Sequence, residues 1–247
     1  MTESVVSPTE AVGSLDPHLT ILLLPAGGAH TEGMPSETAG GLDGIEAAWR
    51  VPRSQAVHLG RPVRVSVARP DGVVEAYLLT PDGTASPAAR HPRRLPAEPV
   101  DSRWMDGMPD RHDLLGVVRA ADRAGQWHGA LVAAERLTLQ LEADLGNDHP
   151  HVVQAVELQG HFALRAQDWT AAARLLCSAA AGRYAQGAPA ADTSRALANA
   201  VASWMRARNH RGAFTTGLGL AHLLVRAAPE PRGRLAAVLG GLEDAAR

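Results

Sequence analysis

The sequence predicts an α+β protein: a small, mostly antiparallel β domain followed by an array of α-helical hairpins. Three observations carry this. Gly125-Gln-Trp127-His-Gly-Ala130 returns as Gln167-Asp-Trp169-Thr-Ala-Ala172, and at almost the same interval again as a degraded copy, Arg208-Asn-His210-Arg-Gly-Ala213. A fixed period of roughly 40 residues marks a helical repeat array. Apolar residues at helical spacing fill the chain from Asp110 onward, whereas residues 18–86 show alternation and two Pro-Asp-Gly turns, at Pro70 and Pro81. Alternation between such turns is the mark of a meander.

Taken in order, residues 1–17 are polar and read as a flexible tail. Leu19 to Leu24 is an apolar run ended by Pro25 and Gly27-Gly28, as expected of a buried strand. Residues 26–43 read as a loop. Ile45, Ala47, Trp49 and Val51 alternate with Glu46, Ala48 and Arg50, which predicts a half-buried strand; Val63, Val65 and Val67 predict another, and Val73 to Thr80 a third. Residues 87–109 hold five prolines and read as a linker, with Trp104 expected to dock on the first helix.

The helical region, 110–247, divides at its turn signals. One helix ends near Gly125 and a second runs from Trp127 to about Leu145, closed by Gly146-Asn147. Pro150 opens a third, which ends near Gln167; a fourth runs from Trp169 to about Gln186. A third hairpin is expected over 193–208 and 211–227, and a capping helix over 233–246. In each copy of the repeated stretch an alanine stands where two helices would cross.

Composition narrows the function classes. All 24 basic residues are arginine, a composition expected of a GC-rich, actinobacterial genome. Without lysine there is no Walker lysine, Schiff base or lysine general base. Net charge is −2, which argues against a nucleic-acid partner. Cys177 is the single cysteine, so neither an internal disulfide nor a cysteine zinc cluster can form. The first 20 residues hold Glu3 and Glu10 and no arginine, and the longest apolar run falls far short of the ~20 residues that span a bilayer. The expectation is a cytoplasmic protein that does not enter a membrane.

The segment Leu141-Glu-Ala-Asp-Leu-Gly-Asn-Asp-His-Pro-His-Val152, the small residue Gly160 and the Gln167-Asp-Trp169-Thr-Ala-Ala172 turn resemble tetratricopeptide repeats, in the longer form seen in kinesin light chains and many bacterial regulators. The resemblance covers roughly residues 110–230. It is closest in the second repeat; Val118 replaces the small residue in the first, and the third has Val201 there and Gly217 where an aromatic is common. It implies a scaffold or adaptor for protein–protein interaction, in which the first helix of each hairpin lines a concave groove for a partner peptide or helix. Carried over from Gly160, the groove positions include Arg119, Asp122 and Arg123 in the first repeat. In the second they include Gln154, Glu157, His161 and Arg165, and in the third Arg195 and Arg206. Five arginines against two acids imply an acidic partner segment, since arginine grips carboxylates with two donors.

No catalytic motif competes with this. His149, His151 and His161 lack an acidic or cysteine ligand to complete a metal set, and Gly27-Gly28 lacks the residues of a phosphate loop. The expected function is therefore a non-enzymatic interaction module without cofactor or metal. The alternative is a structural or assembly subunit that self-associates into a homo-oligomer or packs in a larger complex.

Overall fold

A computed structural model describes residues 18–32, 41–88, 101–110, 112–228 and 231–245. The expected tail and residues 89–100 of the expected linker lie outside them. The architecture is α+β, a five-stranded sheet followed by a run of helices, and the chain divides into two compact units. One comprises residues 1–69 and 74–90, the other residues 70–73 and 91–247. No helix among the described residues is long and apolar enough to cross a membrane.

In the first unit β1 (His18–Leu23), β2 (Ala29–Thr31), β3 (Val63–Ala68), β4 (Val74–Leu79) and β5 (Ala85–Ala88) lie in the order β2-β1-β3-β4-β5. The short strand β2 falls within the stretch expected to be loop. Three pairings are antiparallel, but β1 and β3 run parallel, with Ile21 opposite Val67. The connection between them includes helix α1, Gly41–Leu59, and this corrects the strand expected over 45–51. Parallel neighbours need such a crossover. The buried residues Gly44, Ala48, Pro52 and Ala56, with half-buried Ile45 and Trp49, recur at helical intervals. The alternation of Ile45, Ala47, Trp49 and Val51 is a short sample of that longer helical pattern. Ala48, Ala56 and Trp49 cover Ile21, Val63, Val65, Val67 and Leu79, and Trp49 meets Tyr77 edge-on at 5.8 Å. Gly27-Gly28 forms the β1–β2 hairpin turn, where the Leu24 N–H donates to Gly28 O at 2.8 Å.

The second unit holds α2 (Leu114–Arg123), α3 (Trp127–Leu145), α4 (Pro150–Arg165), α5 (Trp169–Ala185), α6 (Ala190–Ala207), α7 (Ala213–Ala227) and α8 (Arg232–Ala245). From α2 to α6 each helix packs on its sequence neighbours. The first two corners are the same turn. Gly125 N–H bonds to Asp122 O and Gln126 N–H to Ala121 O; one repeat further on, Gln167 and Asp168 make the same two bonds, to Leu164 O and Ala163 O. This double bond is the Schellman pattern, which places its turn residue in the left-handed region: Gly125 at φ 68° and Gln167 at φ 60°. The crossing alanines Ala130, Ala172 and Ala213 are all buried.

The third corner departs from the period. Its left-handed residue is Gly212, whereas Arg208, the counterpart of Gly125 and Gln167, is right-handed at φ −55°. Helix α7 rests on α5 as well as α6, and α8 packs on α6 and α7. Trp204 of α6 fills the core at this corner. Its indole is fully buried, donates Nε1–H to Ala213 O at 2.7 Å, and lies against Gly217 of α7. A Cβ at Gly241 of α8 would sit 2.9 Å from the same ring. A Cβ at Gly219, by contrast, would meet open space.

Candidate functional site

The α4 face carrying Gln154, Glu157 and His161 gathers polar side chains around one depression. Pro150 at the first position starts α4, and His149 caps it, its Nδ1 accepting the His151 N–H at 3.2 Å. The His151 ring bonds Gln154 Oε1 at 3.1 Å. His149 is held below its ordinary pKa by burial first and by neighbouring His151 second. A protonated Nδ1 could not accept that capping bond. The histidine run is thus the start of a helix, and among the described residues no three potential ligands gather to hold a metal.

Along this face runs a segment of the same chain. A 3-10 turn, Ser102–Trp104, is capped by Asp101, whose carboxyl the Arg103 guanidinium holds below its usual range. Trp104 docks against Val153 and Val156 of α4, Ala179 of α5 and Ala188, which corrects the expected contact with the first helix. Its Nε1–H donates to Gln186 O at 3.4 Å, and its carbonyl accepts from Gln154 Nε2 at 3.4 Å. Arg183 of α5 lies 5.1 Å over the indole and bonds Glu157 through Nε and one Nη, at 2.8 and 2.6 Å. Its side chain is 8% exposed, so loss of Glu157 would strip both short bonds from a guanidinium held largely out of water, leaving only Asp192 at 4.0 Å. Beside Met108 a depression of 390 Å3 remains open, lined by Gln154, Glu157, Leu158, His161 and Arg183.

The other expected groove residues separate. Arg119 and Arg123 are exposed on α2, Arg123 donating to Arg119 O at 3.2 Å, and Asp122 is half-buried. Arg195 pairs with Asp192 at 2.8 Å. Arg165 and Arg206 go to the hairpin corners: Arg165 lies 4.0 Å over Trp127 and Arg206 lies 5.0 Å over Trp169. Of the expected groove positions, Gln154, Glu157 and His161 meet in the depression. Arg183, which also lines the depression, and Trp104, which it stacks on, carry no spacing signal: one lies on the second helix of its hairpin, the other before the first repeat. Burial pushes the Cys177 thiol up to about 12, which disfavours the nucleophilic thiolate.

Comparisons of the chain with family models, with curated proteins and with solved structures find no match.

Proposed function

We propose that the helical unit is a protein-interaction module of tetratricopeptide type, acting by binding rather than catalysis, and that it holds a partner segment along the faces of α2 and α4. One observation carries the reading: the 390 Å3 depression on α4 couples an apolar floor, Leu158 and Met108, to the polar groups of Gln154, Glu157 and His161. Binding sites combine these in the same way, apolar area for affinity and a few polar groups for orientation. The Trp104 segment lying on the neighbouring stretch of α4 supports it further, since that surface suits an extended chain. Arg119 and Arg123, exposed on α2, supply the positive end for an acidic segment. The test is co-purification from the native host with Arg119→Glu and Arg123→Glu combined. Loss of a partner that the unmodified chain retains is expected; equal recovery would overturn the groove.

A second reading, self-association, rests on Val117, Val132 and Leu139. These apolar side chains of α2 and α3 are 51, 48 and 60% exposed. Light scattering separates the two, because an assembly role requires an oligomer that survives dilution.

A further inference from the structure

We propose that the corner between α2 and α3 is a second interaction site, a carboxylate seat for an acidic segment of a partner protein, built on the stack of Arg165 over Trp127. Its lining shares no residue with the depression beside Gln154, Glu157 and His161, and it shares with that reading only the premise of a protein partner. The corner holds a depression of 470 Å3 whose lining includes Gly125, Gln126, Trp127, His128, Arg165 and Gln167, with no acidic side chain in it.

Arg165 supplies the recognition. Its guanidinium lies 4.0 Å from the indole centroid, so one flat face is covered by the ring. Arginine's N–H donors lie in the guanidinium plane, so stacking covers the face and leaves the donor edge open. The stack also restrains a long side chain that otherwise loses rotamer freedom when it binds. The residue is exposed, and among the described residues it makes no ion pair. A planar, restrained, open-edged guanidinium matches a carboxylate's two oxygens.

The repeat supplies the second argument. Arg206 lies over Trp169 at the following corner, so both stacks bring the last turn of one hairpin's first helix over the opening tryptophan of the preceding hairpin's second helix. The same device recurs along the array, which suits an extended segment with more than one acidic residue.

The test is fluorescence anisotropy of a labelled glutamate oligomer with the full chain, at low salt, where such contacts are least screened. Arg165→Gln should weaken binding about tenfold, as expected for loss of a charge-assisted bond. Trp127→Leu, which leaves the charge but removes the stack, should weaken it about threefold. Should that variant lose the native circular dichroism, Arg165→Lys serves instead, since it keeps the charge and loses the fork; it too should weaken binding. Arg136→Gln, elsewhere on α3, should bind as the unmodified chain does. Unaltered binding by Arg165→Gln, or an equal loss in Arg136→Gln, overturns the seat. If only the α2 double variant loses the oligomer, the acidic segment belongs to the groove, which refutes the corner and leaves the interaction-module reading intact.

Discussion

Gln167 sits at φ 60°, where its repeat-one counterpart is Gly125 at φ 68°. A side chain in the left-handed region costs about 1 kcal/mol that glycine does not. Gln167→Gly should therefore stabilise the second unit by about 1 kcal/mol in denaturant unfolding. A neutral or destabilising result would mean that the Gln167 side chain makes compensating contacts. The same corner separates what residue spacing encodes from what it does not. The repeated stretch placed the turn, because backbone turns repeat when their hydrogen bonds repeat. Spacing also assigned Arg165 and Arg206 to a groove, because positions along one helix say nothing about the tryptophan of the previous hairpin.

At the scale of elements, α1 is the instructive case. Pro52 has no N–H, so the Ala48 carbonyl one turn earlier lacks its helical partner. The Thr31 hydroxyl on β2 donates to that carbonyl at 2.9 Å, in a buried setting. Thr31→Val keeps the shape and orphans the carbonyl, and should cost about 2 kcal/mol. Made in a Pro52→Ala background, where a backbone donor returns, the same change should cost clearly less. Additive losses would rule out the coupling. A proline beside a short alternating run reads as strand; the hydroxyl that rescues the helix comes from another element, where no local pattern points to it. Helix pairs α2/α3 and α4/α5 offer a parallel lesson. Gly160 lies against Leu176, whereas the repeat-one counterparts are Val118 and Ala134, which share one cluster. Bulk has changed sides across the crossing, so the departure at Val118 leaves the packing of that hairpin intact.

At the scale of the whole molecule, pH is the natural probe. His149 has a folded pKa lowered below its ordinary value of about 6.5 by burial and by His151, with Arg103 opposing protonation and Asp101 and Asp106 favouring it. Below pH about 6.5 the unfolded chain binds a proton that the folded chain resists, so this contribution is complete above that pH and is lost as pH falls toward the lowered value. Global stability from denaturant unfolding should fall as pH drops below about 6.5, and less steeply in His149→Asn, which keeps a capping acceptor and cannot titrate. An unchanged slope in that variant would remove His149 from the account. What the sequence by itself determined is the α+β class, the first helical corners, the helices from Trp127 to Ala185 and the buried crossing alanines, because each follows from hydrogen bonding and burial among near neighbours along the chain. Only the tertiary structure decided the parallel β1–β3 pairing, the seating of Trp104 on α4, the Arg183–Glu157 pair and the stacking of Arg165 and Arg206, because each joins residues from separate elements whose meeting no local period encodes.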